Sequence, residues 1–254
     1  MSTLLFDHQL RALRRDRAVR SGVETFLFDR AFDDCLERLG DIRAQFPAVL
    51  LAGCPNPSWT NRLEASRVEI IDPGPRMAER AGGFPAGLET LPFDASSFDL
   101  CISIGLLDTE NDLALAAAAL RVVLKPGGLL LGAIAGGRSL PRLRAAMRAA
   151  DAVGGKASPH VHPRIEAASL AHLLTAAGFS EPVVDVDSVD VAYGSLENLV
   201  RDLRAMGATN ILAERSRRPL TRAALAAARE AFLGGESRAI EQVEILHFAA
   251  WNPA

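Results

Sequence analysis

An acid and a glycine frame the stretch of chain best suited to hold a nucleotide-type ligand. The apolar run VLLAG at 49–53 ends on Gly53, and the next apolar run, VEIID at 68–72, ends on Asp72. A carboxylate about 20 residues beyond such a glycine turn can accept hydrogen bonds from ribose hydroxyls. A strand-end acid that caps the following helix explains the same position equally well. Spacing alone leaves both interpretations of Asp72 open.

The turn that follows the first apolar run has an unusual composition for a nucleotide-binding turn. It reads Gly53-Cys54-Pro55-Asn56-Pro57, whereas such turns repeat glycine at alternate positions. Glycine lets the backbone approach a ligand closely, whereas proline fixes φ near about −65° and removes the amide donor. The pattern GxGxxG is absent here, so a dinucleotide dehydrogenase is the least favoured enzyme class.

Two histidines in SPHVHP, His160 and His162, could form a metal pair. A zinc ion needs at least three protein ligands, and no third ligand lies at a suitable spacing. We therefore expect this segment to be a loop over a substrate cleft and predict no metal site. No residues stand out as a nucleophile with its base, so the catalytic residues stay unassigned.

Continuous apolar runs alternate with helical patterns and predict a parallel sheet with helices on both faces. Strands are predicted at 48–53, 68–72, 98–104, 128–135, 183–193 and 240–250. Helices are predicted at 4–20, 28–39, 58–65, 75–81, 111–124, 139–153, 166–177, 196–206 and 222–233. The strand at 183–193 alternates polar and apolar residues, so it should lie near a sheet edge. The final strand is expected to be antiparallel.

The N-terminal helix is amphipathic and rich in arginine. Its apolar face carries Phe6, Leu10 and Leu13. The opposite face carries Arg11, Arg14 and Arg15. This basic face is either solvated, or it forms a rim over an active site or a partner surface.

Composition excludes several classes of protein. The 254 residues are 49% hydrophobic and 23% charged, with a net charge of −3, so no general positive field favours nucleic acid. The apolar runs are shorter than the roughly 20 residues of a spanning helix, and the N-terminus lacks the apolar core of a secretory signal. The three cysteines have no CxxC spacing, which favours a reducing, cytoplasmic compartment.

Three successive segments, IIDPGPRM (70–77), ETLPFDASSFDL (89–100) and LKPGG (124–128), resemble motifs of class I S-adenosylmethionine-dependent methyltransferases. The resemblance implies a Rossmann-like α/β fold with a mostly parallel seven-stranded sheet and an antiparallel last strand. It implies S-adenosyl-L-methionine as the cofactor, with Asp72 on the ribose, 73–77 along the adenine and 103–106 at the sulfonium. The cofactor-binding residues implied in this way are Gly53, Asp72, Pro73, Met77, Glu89, Ser103, Gly105 and Leu106.

Further segments narrow the resemblance to one group. FDHQLRALRRDRAVR, GGRSLPRLR (136–144), SPHVHPRIE (158–166), AGFSEPVVDVD (177–187) and DLRAMGATN (202–210) are similar to the mitochondrial complex I assembly factor 5 group and its bacterial relatives. Malonyl-acyl-carrier-protein methyltransferases of biotin synthesis are more distant. The resemblance implies one methyltransferase-like domain over 1–254, with N-terminal helices (1–40), a cofactor-binding half (41–137) and a substrate-side half (138–254).

The chain departs from the family pattern at four positions. Leu51 replaces an acid, Pro55 and Pro57 replace glycines, and Gly87 replaces an aspartate. Two hypotheses follow. One is an enzyme of the assembly-factor type, whose group is associated with hydroxylation of an arginine on a complex I subunit, acting on a protein or a small acceptor. The other is a non-catalytic scaffold that has lost the cofactor. Either could act on a respiratory complex subunit and so lie at the inner membrane through that partner.

Overall fold

The computed structural model describes residues 4–254. The strands are β1 (Ala48–Ala52), β2 (Arg67–Asp72), β3 (Phe84–Pro85), β4 (Phe98–Ile104), β5 (Leu124–Ala135), β6 (Ser180–Tyr193) and β7 (Ala239–Trp251). The helices are α1 (His8–Ser21), α2 (Phe26–Asp41), α3 (Pro75–Arg80), α4 (Leu113–Val123), α5 (Pro141–Gly154), α6 (Ala167–Ala176), α7 (Leu196–Ala205) and α8 (Arg222–Leu233).

The strands form one sheet in the order β3-β2-β1-β4-β5-β7-β6. The pairs from β3 to β5 are parallel, and β7 runs antiparallel to both β5 and β6. Short hydrophobic strands joined by crossovers favour this arrangement because the crossovers cover both faces. The predicted mostly parallel, seven-stranded sheet with an antiparallel last strand is confirmed, and β6 is an edge strand as its alternation predicts.

Apolar side chains of successive strand residues pack on opposite faces of the sheet. On one face Leu50 and Cys101 pack in a buried cluster with α4 and α6. On the other, Leu51 and Ile102 pack with Phe32 of α2. Beside the far end of the sheet, α5, α7 and α8 form a separate buried cluster.

The connection between β1 and β2 differs from the prediction. Where a helix is predicted at 58–65, the chain forms only a short 3-10 helix, Pro57–Arg62. The side chain of Asn56 caps it by accepting from the amide of Ser58, at 3.1 Å. Trp59 is fully buried and stacks on Phe32, with ring centroids 4.4 Å apart. Pro57 is compatible with the first turn of a helix, but Trp59 in that turn is anchored against Phe32 and Asp29, and the 3-10 helix ends at Arg62.

Other boundaries shift slightly from their predicted positions. β5 begins at Leu124 rather than at 128, because the Lys-Pro-Gly-Gly segment already extends along the sheet. The two-residue strand β3 has no clear sequence pattern and was not predicted. The N-terminal helix begins at His8 rather than at residue 4, with Asp7 as its N-cap. Within residues 4–254, no helix combines the length and apolar character needed to cross a bilayer.

Candidate functional site

The carboxyl ends of β1, β2 and β4 bring most of the predicted site residues to one edge of the sheet. Gly53 follows β1 with a φ of +87°. A Cβ atom at Gly53 would lie 2.5 Å from the carbonyl oxygen of Ile104 and 3.0 Å from a side-chain carbon of Leu106. Only glycine fits this turn, because both the positive φ and the close backbone approach exclude a side chain.

Asp72 is buried at the end of β2 and is held by an arginine of α1. Arg15 donates from Nε to both carboxylate oxygens, at 2.6 and 2.8 Å, and from an Nη to one of them, at 2.5 Å. The amide of Gly74 also donates to Asp72, at 2.9 Å. Asp72 and Arg15 are only 1% and 4% exposed. This acid therefore forms a buried ion pair and also holds the turn at Gly74. It does not cap α3, since the amide of Arg76 donates to Asp16 instead.

A second arginine of α1 contacts the same edge of the sheet. Arg11 donates to a carboxylate oxygen of Glu110 at 2.7 Å and to the carbonyl oxygen of Leu106 at 2.9 Å. Gly74 permits the approach of the helix, since a Cβ there would lie 2.9 Å from the Cβ of Arg15. Helix α1 thus lies directly over the ends of β2 and β4.

The sequence prediction for the two faces of α1 is wrong in part. Arg11 and Arg15, expected on the polar face, are buried, whereas Leu13, expected on the apolar face, is 62% exposed. Buried arginines are stable here because each one meets a carboxylate beneath the helix. Helix α1 therefore places its arginines over the edge of the sheet, and whether this edge is an active site or a partner surface stays a prediction.

The turn after Gly53 is held by contacts within the chain. Arg80 donates to the carbonyl oxygen of Pro55. Asp29 accepts from the Asn56 amide at 2.9 Å and from the Trp59 indole at 2.7 Å. Burial, followed by the charge of Asp72, raises the pKa of the Cys54 thiol to about 12. Cys54 is therefore an uncharged packing residue rather than a nucleophile.

The other predicted cofactor residues have varied surroundings. Met77 is fully buried in α3, whereas Pro73 is partly exposed. Glu89 accepts from the amides of Asn111 and Asp112, at 2.9 and 3.0 Å. Ser103 is fully buried, and its hydroxyl has no hydrogen-bond partner among residues 4–254. The polar atoms that this edge offers a ligand are therefore few.

The positions that depart from the family pattern also have defined surroundings. Leu51 is fully buried in the sheet core, where it packs with the residues of α2. Gly105, which is a predicted cofactor residue and not one of the departing positions, follows β4 with a φ of +65°, and a Cβ there would lie 2.7 Å from the ring of Phe28. Space is open around Gly87. The acid missing at position 51 is therefore replaced by a core side chain.

Three potential metal ligands meet near α1. Ligand atoms of His8, Glu89 and Glu110 lie within 4.8 Å of one another. Glu110 is already paired with Arg11, and Glu89 already accepts two backbone amides. These bonds satisfy the carboxylates without an ion. This cluster could not be predicted from the sequence because its members are far apart in the chain.

His160 and His162 do not converge on a common point. The ring of His160 contacts Asp151 at 2.8 Å. His162 accepts from the amide of Ile211 at 3.0 Å, and burial, followed by the charge of Arg144, lowers its pKa to about 4. His162 is therefore neutral at pH 7. His162 and Arg164 of this loop line a cavity, and the role of the loop over a substrate cleft stays a prediction.

This cavity lies beside the α1 contacts and has a volume of about 140 Å³. Its mainly apolar lining comes from the ends of β4, β5 and β7, from α2 and from the segment after α7. The segment 202–210 is one of those that resemble the assembly-factor group, and no site was assigned to it from the sequence. Leu203, Met206 and Thr209 of that segment line the cavity.

Comparison with known proteins gives consistent results. A family model described as "Methyltransferase domain" matches residues 50–132. The chain is 31% identical to the rat "Arginine-hydroxylase NDUFAF5, mitochondrial", over 98% of this chain and 77% of the relative. It is also 31% identical to the "Malonyl-[acyl-carrier protein] O-methyltransferase" of Methylovorus sp. (strain MP688), over 86% of this chain and 79% of the relative.

Among solved structures, the fold is similar to that of the YcgJ protein from Bacillus subtilis. The TM-score is 0.56 at 12% identity, over 87% of this chain and 97% of that protein. At this level of identity, the similarity concerns the fold alone.

Proposed function

Because this chain belongs to the S-adenosylmethionine-dependent methyltransferase family, with relatives among arginine hydroxylases and malonyl-acyl-carrier-protein methyltransferases, we propose that it is an assembly factor that no longer uses the cofactor. It acts as a non-catalytic scaffold that binds a protein client. The client that the family resemblance suggests is a subunit of a respiratory complex. The proposed location is the cytoplasmic side of the membrane that carries that complex.

The observation that carries this proposal is the ion pair between Arg15 and Asp72. In a cofactor-binding relative, the carboxylate at the position of Asp72 would accept hydrogen bonds from the ribose hydroxyls. Here both oxygens of Asp72 already accept from the guanidinium of Arg15. Breaking a buried ion pair leaves an uncompensated charge and costs several kcal/mol. Two ribose hydrogen bonds, at roughly 1.5–3 kcal/mol each to a charged acceptor, do not clearly exceed that cost. The residues present do not fit S-adenosylmethionine in this arrangement.

The turn after Gly53 supports the same proposal. Pro55 and Pro57 offer no backbone N–H groups, and the side chain of Arg80 already bonds to the carbonyl of Pro55. The acid expected at position 51 is a buried leucine. The losses therefore affect the amino-acid end of the cofactor as well as the ribose.

A second candidate function is an S-adenosylmethionine-dependent transferase that is closed by α1. Gly53 keeps the positive φ and the close packing of a cofactor turn, and Asp72 keeps its place at the end of β2. If α1 withdrew, Asp72 could receive a ribose. Residues 53, 72, 73, 77, 89, 103, 105 and 106 would then be the cofactor contacts.

Calorimetric titration with S-adenosylmethionine separates the two candidates. We expect no heat of binding to the wild-type chain at about 1 mM ligand. The charge of Asp72 is balanced by Arg15, and the turn after Gly53 lacks amide donors at Pro55 and Pro57. Arg17→Ala, an exposed residue of the same helix, is the matched control and should behave like the wild type. Micromolar binding that Asp72→Ala abolishes would contradict the proposal and favour the transferase.

Complementation tests the client-binding role in a cell. In a host whose gene for this chain is deleted, we expect less assembled complex I, measured as NADH:quinone oxidoreductase activity of isolated membranes. The wild type should restore that activity. The double variant Arg15→Met/Asp72→Asn, which lacks the acid but keeps the local packing, should restore it equally. Failure of this variant, with the folded protein present at wild-type abundance, would contradict a cofactor-independent role.

A further inference from the structure

Strand β6 is the last strand of the sheet, and only one of its two edges is paired. It pairs with β7 without interruption from Val183 to Tyr193. Among residues 4–254, no backbone hydrogen bond engages its outer edge. About half of the amide and carbonyl groups of 183–193 therefore point away from β7 and have no partner in this part of the chain. Such a row of groups is a template for one further strand.

The outer edge of β6 lacks the features that usually prevent pairing with another chain. Native edge strands are typically short, or they carry lysine, proline or a bulge. The opposite edge of the sheet follows this rule, since β3 has only two residues. In β6 the one proline, Pro182, and the one register shift lie before Val183, and the strand contains no lysine. Residues 183–193 thus form a regular, unprotected edge.

Contacts on both faces of the sheet hold β6 in place without a partner strand. On one face Arg30 and Arg38 of α2 donate to Asp187 and Asp185, at 2.5 and 2.7 Å. On the other face Val184 packs against the buried cluster that includes residues of α6. The edge is therefore ordered before a ligand arrives, which lowers the conformational entropy that binding costs.

The charge of β6 selects the kind of segment that can pair with it. The strand contains four acidic residues and neither lysine nor arginine. Arg38 is shared between Asp185 and Asp34, whereas Glu181 and Asp190 are exposed and form no ion pair within residues 4–254. A second copy of this strand would bring like charges together, which is unfavourable across a strand pair. A strand with arginine or lysine supplies opposite charges instead.

We propose that the outer edge of β6 binds an extended, arginine- or lysine-rich segment of the client protein as an additional strand of the sheet. Backbone hydrogen bonds supply the pairing, and the acidic side chains of β6 select a basic segment. This inference rests on the proposed scaffold role and names the part of the client that is held. Four strands separate β6 from β2, which carries Asp72, so the edge is accessible whether or not S-adenosylmethionine binds.

Short synthetic peptides test this edge on the full-length chain. The probe is a fluorescein-labelled peptide of three Arg-Val-Thr repeats. Its β-branched residues favour an extended chain, and its arginines fall on both faces of a strand. We expect a dissociation constant of about 10 μM, measured by fluorescence anisotropy at pH 7 and about 0.1 M salt. A Glu-Val-Thr peptide of the same length should bind at least about ten-fold more weakly, because its charges repel those of β6.

A backbone-modified peptide separates strand pairing from simple charge attraction. It is the same Arg-Val-Thr peptide with N-methyl groups on two adjacent central residues. The modified peptide keeps every charge, but it cannot donate from two neighbouring amides, which lie on opposite edges of an extended chain. It should bind at least about ten-fold more weakly than the unmodified peptide.

Hydrogen–deuterium exchange and two variants locate the binding. The Arg-Val-Thr peptide should slow amide exchange within 183–193 about five-fold and leave 67–72 of β2 unchanged, because only amides at the outer edge gain a partner. Asp190→Lys places a lysine on this edge and should weaken binding about ten-fold. Glu64→Lys changes an exposed acid just before β2 and is the matched control, for which wild-type affinity is expected. Circular dichroism and melting curves check that each variant is folded.

Several outcomes would overturn the proposal. No binding of the Arg-Val-Thr peptide at about 1 mM, or equal binding of its N-methylated form, would exclude strand pairing. Equal binding of the Glu-Val-Thr peptide would contradict a basic segment. Unchanged exchange in 183–193 together with wild-type affinity of Asp190→Lys would place the peptide elsewhere. Dimers that protect 183–193, detected by analytical ultracentrifugation and exchange, would show that a second copy occupies the edge.

Failure of this inference and failure of the scaffold role give different results. If Arg15→Met/Asp72→Asn restores complex I activity but the wild-type chain binds no Arg-Val-Thr peptide, the scaffold role stands and this edge is excluded. If the peptide binds but the double variant restores no activity at wild-type abundance, the cofactor-independent scaffold role is overturned.

Discussion

Replacing Arg15 by alanine is expected to lower the free energy of unfolding by about 3–5 kcal/mol. The substitution leaves the carboxylate of Asp72 buried with only the amide of Gly74 as a donor. Taking a carboxylate out of water without a counter-charge is costly, so the folded state loses far more than one hydrogen bond. Urea denaturation at pH 7, with the melting temperature as a second measurement, checks this value.

Two further variants distinguish the ion pair from other effects on α1. Arg17→Ala removes an exposed arginine of the same helix and should change the free energy of unfolding by less than about 0.5 kcal/mol. Arg15→Met/Asp72→Asn removes both charges, keeps an acceptor for the Gly74 amide and should recover most of the lost stability. A loss below about 1 kcal/mol in Arg15→Ala would mean that the pair contributes little to holding α1.

The stability of the chain is expected to fall by about 3 kcal/mol between pH 6.5 and pH 4 through His162 alone. The pKa of the folded-state ring is lowered to about 4 by burial and by Arg144, whereas an unfolded histidine titrates near about 6.5. As the pH falls through this window, His162 takes up a proton in the unfolded chain but stays neutral in the folded protein. The stabilising contribution is therefore complete above pH 6.5 and lost as the pH approaches 4.

Urea denaturation at pH 7, 6, 5 and 4 measures this dependence. His162→Gln, whose side-chain oxygen can still accept from the Ile211 amide, should flatten the pH dependence over the window by about the predicted amount. His172→Gln, on the exposed face of α6, is the matched control for the loss of a histidine and should follow the wild-type curve. Parallel curves for the wild type and His162→Gln would show that the ring is protonated equally in both states.

The sheet could be predicted from the sequence because its signals are local. Runs such as FDLCISI at 98–104 are apolar without alternation, which buried parallel strands require. The edge position of β6 follows from the alternation at 183–193 in the same way. The order of the elements, with a pair of strands late in the chain after the α/β series, predicts the antiparallel last strand, and the family resemblance implies the same.

The contacts of α1 could not be predicted because they join distant parts of the chain. Arg15 and Asp72 are 57 positions apart, and Arg11 and Glu110 are 99 apart. Helical periodicity assigns arginine to the solvent face and contains no information about a carboxylate beneath the helix. The same limit applies to the cavity, since His162 and Thr209 come from separate segments.

The helix predicted at 58–65 failed for a different reason. Its local pattern suits a helix, but Trp59 gains more from stacking on Phe32 and bonding to Asp29 than from continuing a regular turn. Tertiary packing overrides helix propensity, which amounts to only tenths of a kcal/mol per residue.

Gly74 gives a way to sort related chains without any structure. A side chain at this position would collide with Arg15, so an arginine at position 15 and a glycine at position 74 must occur together for the helix to reach the acid. A relative with a bulky residue in place of Gly74 leaves its strand-end acid free. Chains that carry both residues together with a proline-containing turn would form one class, and chains with a free acid and an intact glycine turn would form the cofactor-using class.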